Sequence, residues 1–417
     1  MVIQRETYVQ DLTDRMHNGM IKVITGMRRS GKSFLLFNLF REHLKKEGID
    51  GEHIISVALD DRMNRQLRNP DTLCEYIRSK IIDDHMYYIM LDEVQMVDEF
   101  EDVLNSFLHI PNADVYVTGS NARFLSKDVI TEFRGRGDEV RVYPLSFREY
   151  LTAFNGTRER ALDEFMLYGS LPQILSFATP AQKTTYLKNL FTETYIKDIK
   201  ERYHILRDEE LEELLNIISS TIGSLTNPHK LVNTFQTVKK VKIDQTTVKS
   251  YLDYLCDAFI VERSMRYDVK GRHYIDTPSK YYFTDIGLRN ARLNFRQDER
   301  THIMENVIYN ELRIRGFNVD VGVVPITYTE RDGSRHRSQL EIDFVCNLGS
   351  RRYYVQSALH ISSDEKRQQE QASLIRVDDS FKKIIVVGND IAVHRNEHGI
   401  TTMNILDFLT NVHSLDL

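Results

Sequence analysis

Residues 26–33 read Gly26-Met27-Arg28-Arg29-Ser30-Gly31-Lys32-Ser33, a complete G-x-x-x-x-G-K-S. The apolar run Ile21-Lys22-Val23-Ile24-Thr25 precedes it as a short strand, and residues 34–40 (FLLFNLF) continue it as a helix. A strand, a glycine turn and a helix N-terminus aim several backbone N–H groups at one point, where the helix dipole also favours negative charge. The pattern therefore predicts a phosphate cradle built from Gly26, Arg28, Arg29, Ser30, Gly31, Lys32, Ser33 and Phe34. Lys32 is expected to reach the β- and γ-phosphates, and the Ser33 hydroxyl to ligate Mg²⁺.

About 60 residues on, Tyr87-Tyr88-Ile89-Met90-Leu91-Asp92-Glu93 is an apolar strand ending in two acids. Neighbouring residues leaving a strand point to different sides. Asp92 then suits the Mg²⁺ and Glu93 the attacking water, so ATP or GTP with Mg²⁺ is the expected ligand. Strands expected near 21–25, 54–59, 87–91, 114–118 and 139–143 alternate with helices, which predicts a parallel α/β sheet covered on both faces. Val117-Thr118-Gly119-Ser120-Asn121 ends one of these strands, placing Ser120 and Asn121 within reach of a γ-phosphate or its water. Arg134 and Arg136 precede the last strand at the sheet edge and suit an arginine finger acting on a neighbouring subunit's nucleotide.

These segments in this order (GMRRSGKS, YIMLDEVQ, VTGSNA, RGRGDEV, YPLSFREYL) resemble the bacterial and archaeal predicted ATPases of the AAA+ superfamily that carry a C-terminal domain of unknown function. Tyr168-Gly169-Ser170-Leu171-Pro172 is similar to that family's lid motif, with Ser170 replacing a glycine. Residues 195–199, 280–288, 305–306 and 341–345 also match. The resemblance implies an α/β fold. A P-loop AAA+ core (1–150) with a parallel sheet would be followed by a helical lid (151–205). A winged helix (206–297) and a degenerate restriction-endonuclease-like domain (298–417) would complete it. It also favours adenine over guanine, since no guanine-reading N-K-x-D is present.

The middle segment supports the winged-helix expectation independently. Leu211, Leu214, Leu215, Ile218 and Ile222 form a helical stripe. Asn227-Pro228 and Asp244 cap two further helices, and two strands near 260–267 and 280–284 follow. The third helix of such a unit can enter a major groove. Gln245, Thr246 and Lys249 on that helix, with Arg263, Lys270 and Arg272 on the hairpin, are the expected DNA contacts. Residues 226–290 carry eleven basic against seven acidic side chains, although the whole chain has 55 basic and 61 acidic and a net charge of −6. A local basic surface in an acidic chain favours DNA. In the C-terminal segment, Glu305 and Asp343 fall where a metal-dependent nuclease places its acids, and Gln356 falls at the head of the Glu/Gln-x-Lys that follows them. Ala358 stands where the lysine belongs, and Lys366 is the next basic residue able to approach.

The remaining bulk properties exclude rather than assign. Cys74, Cys256 and Cys346 are scattered without a pairing pattern, and no run approaches 18 apolar residues. A cytoplasmic protein without membrane partners is the expectation. Three functions stay open: an ATP-driven ring acting on duplex or branched DNA, a nucleotide-dependent switch recruiting a protein, and an ATP-gated nuclease.

Overall fold

The computed structural model describes residues 2–119, 135–205, 208–240, 242–296, 299–329 and 335–417. They form two compact units, Met1–Pro144 and Leu145–Leu417.

The first unit is built on five parallel strands, β1 (Ile21–Thr25), β2 (Ile54–Ala58), β3 (Tyr87–Asp92), β4 (Ala113–Thr118) and β5 (Gly137–Arg141), in the order β2-β3-β4-β1-β5. β1 and β3 are buried along their whole length, as a parallel sheet covered on both faces requires. Alternate residues serve opposite faces. Ile21, Val23, Tyr87, Ile89 and Leu91 pack with Leu73 and Ile77 of helix Pro70–Lys80 and with Leu104 and Phe107 of helix Phe100–Phe107. Ile24, Tyr88 and Met90 pack on the other side with Leu35, Leu36 and Phe40, and with Leu12 of helix Glu6–Thr13. This is the layered P-loop core of the AAA+ class. The glycine turn leaves β1, which is flanked by β4 and β5.

The second unit begins with helices and ends in a sheet. Ser146 and Glu149 form a reciprocal capping box on helix Phe147–Ala153. Asn227 and Asp244 cap helices Pro228–Thr234 and Gln245–Asp257 by accepting the Lys230 and Thr247 N–H groups. The sheet has eight strands: β6 (Val261–Asp268), β7 (His273–Phe283), β8 (Asn318–Thr329), β9 (Arg335–Leu348), β10 (Arg351–Ala358), β11 (Lys382–Val387), β12 (His394–Arg395) and β13 (Ile400–Asn404). Their order is β12-β13-β11-β10-β9-β8-β6-β7.

The expected boundary at residue 297 falls between strands of one sheet. The β6–β7 hairpin does not stand apart as a wing, because Arg266–Asp268 pair in parallel with Val321–Val323 of β8. A free β6 edge would leave backbone N–H and C=O groups unpaired, and β8 satisfies them. The segments on either side of that boundary share one sheet. The lid-like motif is tied in as well. Gly169 adopts φ 74°, where a Cβ would collide with the Asp285 carboxylate, and Asp285 accepts the Ser170 N–H at 2.7 Å. Among the described residues no helix is long and apolar enough to cross a membrane.

Candidate functional site

After β1 the chain turns through Gly26 at φ 132°, where a Cβ would collide with the Val142 carbonyl oxygen. Only glycine fits. Gly31 and Arg29 also take positive φ, 98° and 67°, and wrap the loop onto the start of the helix at Lys32. The Lys32 ammonium folds back over the loop and donates to the carbonyls of Gly26 (2.9 Å) and Met27 (3.0 Å). The Ser30 hydroxyl is fully buried with no hydrogen-bond partner among the described residues. Buried Arg5 fixes the cradle from behind by donating to the carbonyls of Ser30 (2.9 Å), Tyr143 (2.9 Å) and Pro144 (3.2 Å).

The acids at the end of β3 face this loop. Asp92 Oδ1 accepts the Ser33 hydroxyl at 2.9 Å and the Thr118 hydroxyl from the end of β4. The Glu93 N–H donates back to Thr118 Oγ1 at 3.1 Å. Glu93 itself holds φ 55°, a left-handed conformation that costs free energy for a non-glycine residue, and its carboxylate accepts the Gln95 amide. Burial pushes the Lys32 ammonium down to about 8, with Glu93 and Asp92 opposing it. Burial likewise raises Asp92, against the hydroxyls of Thr118 and Ser33. The arrangement suits a polyanion: an under-satisfied buried cation, an orphaned hydroxyl, and a serine–aspartate pair that together fit an octahedral divalent ion.

The other expected residues of this unit divide into two groups. Arg28, Arg29 and Phe34 are exposed around the loop. Arg136 lies at the opposite edge of the sheet. Its carbonyl accepts the Ile21 N–H at the start of β1, and its exposed guanidinium is 3.4 Å from Asn105 Oδ1. Ser120, Asn121 and Arg134 lie outside the described residues. Thr118 and Arg5 were not singled out from the sequence. Thr118 sits in the quoted strand-end motif, whereas a lone arginine in a polar N-terminus gives no signal.

In the second unit, Gln245, Thr246 and Lys249 are exposed on the first turns of helix Gln245–Asp257, and Lys270 and Arg272 are exposed at the hairpin tip. Arg263 differs: its guanidinium is held by Ser279 Oγ (3.0 Å) and the Asp276 carbonyl, so it braces the hairpin.

Glu305, Asp343 and Gln356 do converge. Glu305 projects from helix Arg300–Ile314, Asp343 sits in β9 and Gln356 in β10. Between the pairs Asp320–Val345 and Gly322–Ile342, β9 sets two residues, Phe344 and Asp343, against the single Val321 of β8, a bulge containing Asp343. The Asp343 N–H donates to Gln356 Oε1 at 3.3 Å, and the Ser357 N–H donates to Asp343 Oδ2 at 2.8 Å. What the sequence did not announce is Lys280 of β7. Its ammonium is 2.8 Å from Glu305, 2.8 Å from Glu341 and 3.6 Å from Asp343, and the residue is 3% exposed. The Tyr282 hydroxyl adds a 2.7 Å bond to Glu305. Burial and the nearby Glu305 push Asp343 up to about 7 despite Lys280. Lys366 instead pairs with Glu370, and Ala358 is buried in the core. The metal that an active nuclease would need does not fit this set, because an ammonium already contacts Glu305, Glu341 and Asp343.

Comparison with known proteins matches two family models along the chain. Residues 18–151 match a family model described as an AAA domain, and residues 159–299 match one described as a domain of unknown function (DUF8612). An uncharacterized protein of Haemophilus influenzae is 31% identical over 98% of this chain and 98% of its own length. Another, from Methanocaldococcus jannaschii, is 26% identical over 93% of this chain and 88% of its own. Among solved structures, the Aeropyrum pernix ORC1 protein in complex with DNA aligns at 11% identity over 70% of this chain and 92% of that chain. Its TM-score is 0.29, too low to argue from. With its phosphate loop intact and 98% of its length shared, the chain belongs to the same family as the Haemophilus influenzae protein, and its first unit is an AAA domain.

Proposed function

We propose that the first unit binds ATP with Mg²⁺ and hydrolyses it, and that the chain assembles as a homo-oligomeric ring that uses this cycle to act on DNA. One observation carries the hydrolytic reading: Lys32, Ser33, Asp92, Glu93 and Thr118 converge at the ends of β1, β3 and β4. Lys32 and the loop amides would hold the phosphates, and Ser33 with Asp92 would hold the ion. The ion's chemistry is to neutralise charge on the transferring phosphoryl group. Glu93, fixed by its own strained backbone and by Gln95, would orient the attacking water. The exposed Arg136, on the sheet edge away from its own phosphate loop, supports a role toward a neighbouring subunit.

The DNA reading rests on the exposed Gln245, Thr246, Lys249, Lys270 and Arg272 and on the local basic excess. Cleavage is disfavoured, because the Lys280 ammonium already contacts the acids that a nuclease would commit to metal. The test is ATP turnover with and without duplex or branched DNA, for the wild type and Glu93→Gln. The variant is expected to retain ATP with turnover lowered at least 100-fold, and DNA to stimulate only the wild type. Normal turnover in Glu93→Gln removes Glu93 as the base. An absence of any DNA effect at low salt leaves the nucleotide-dependent protein-recruiting switch as the better reading.

A further inference from the structure

The loop leading into β3 brings two histidines and an aspartate to one point. His53 ends the single helical turn Gly51–His53 directly before β2, and Asp83 and His85 lie just before β3. β2 and β3 are parallel neighbours with Ile54 opposite Tyr88, so the residues preceding each strand gather at the same edge of the sheet. This is the edge opposite the phosphate loop. At ~3.3 Å per residue, β3 alone puts roughly 20 Å between these side chains and Asp92.

The three side chains meet on one oxygen. Asp83 Oδ2 is 3.1 Å from His53 Nε2 and 3.2 Å from His85 Nδ1. In a tetrahedral site with bonds near ~2.0 Å, two ligand atoms lie about 3.3 Å apart. Among the described residues no other group of three His, Cys, Asp or Glu side chains converges within 4.8 Å. The second carboxylate oxygen accepts the His85 N–H at 2.9 Å and lies 3.3 Å from His53 Nε2, so the carboxylate is held against the His53 ring through both oxygens.

The loop is also braced from outside. Asn112 Nδ2 donates to the carbonyls of Asp83 (3.0 Å) and His85 (2.8 Å), and the Ile82 N–H donates to the Tyr87 hydroxyl at 3.2 Å. The Tyr87 ring meets His53 edge-on, with centroids 4.8 Å apart. Outer contacts of this kind orient ligands before an ion arrives.

We propose that His53 Nε2, Asp83 Oδ2 and His85 Nδ1 form a binding site for a divalent transition ion of the zinc class, with the remaining position open to solvent. Two imidazoles and one carboxylate select Zn²⁺ or Co²⁺ over Mg²⁺ and Ca²⁺, which prefer all-oxygen sets. The exposures grade outward, His53 at 15%, Asp83 at 40% and His85 at 77%, so the open position faces water. The ion staples the start of β2 to the loop before β3, at the far end of the strand that carries Asp92.

The test uses full-length, metal-stripped protein without a histidine tag or nucleotide, titrated with Zn²⁺ and, separately, Co²⁺. One equivalent should bind with micromolar or tighter affinity, Co²⁺ should show the absorption of a low-coordinate nitrogen–oxygen site, and Zn²⁺ should raise Tm. His85→Ala, at an exposed position that leaves the fold intact, should weaken binding at least 10-fold, and His53→Ala/His85→Ala should abolish it. Nucleotide affinity should stay unchanged in both variants. The site is refuted if no Zn²⁺ is retained at micromolar free metal, or if the double variant retains as much as the wild type.

Discussion

Two buried lysines, Lys32 of the phosphate loop and Lys280 of β7, sit within reach of acids and have opposite fates. Lys32 is 5% exposed and donates to two neutral carbonyls, and burial pushes it down to about 8. Lys280 is 3% exposed and is surrounded by Glu305, Glu341 and Asp343. Burial acts to lower it as well, yet these acids raise it above the ordinary lysine value. A buried ammonium with only carbonyl partners is under-compensated and gains from an arriving anion. One that already holds carboxylates has nothing to gain. The contrast separates a ligand site from an internal ion cluster more sharply than the presence of lysine and acid residues does.

The largest expected effect comes from Lys280→Met. It leaves Glu305 and Asp343 buried without their cation and should lower stability by about 3–5 kcal/mol, read from denaturant midpoints. Lys32→Ala should leave stability within about 1 kcal/mol, because it removes a poorly compensated charge. The same variant should weaken ATP binding by at least about 100-fold, measured by calorimetry, close to 3 kcal/mol. Equal stability losses in both variants would erase the distinction.

A smaller effect follows from pH. In the free protein Lys32 gives up its proton near 8, well below the usual 10.5. Bound phosphates favour the ammonium, so binding above pH 8 must take up a proton. ATP affinity should therefore be flat below pH 8 and fall up to about tenfold per pH unit above it. Calorimetry in buffers of different ionisation heat should register proton uptake at pH 8.5 and none at pH 6.5. Lys280, raised instead of lowered, contributes nothing in this window.

What the sequence revealed follows from how local each feature is. Gly26, Lys32 and Ser33 span eight residues, and Asp92 and Glu93 end one strand, so spacing alone places them. Lys280 meets Glu305, Glu341 and Asp343 only because β7, a helix and β9 come together, and between Pro278 and Tyr282 it reads as one more strand residue. The pairing of Arg266–Asp268 with β8 was hidden for the same reason, since it crosses more than fifty residues. Helix caps at Asn227 and Asp244 were legible because capping is a three-residue interaction. Arg5 was not, since its three acceptors are backbone carbonyls, which have no sequence signature.

The smallest effect tests which acid holds Lys280. Glu341 and Glu305 stand at the same 2.8 Å, but the Glu341 side chain is 37% exposed and that of Glu305 is 8% exposed. Water screens the former pair, so Glu341→Gln should cost no more than about 1 kcal/mol. Glu305→Gln should cost several times as much, because it also weakens the bond from the Tyr282 hydroxyl. If both substitutions cost the same, distance rather than burial governs the cluster. Lys280 would then be held loosely enough to exchange its acids for an incoming ligand.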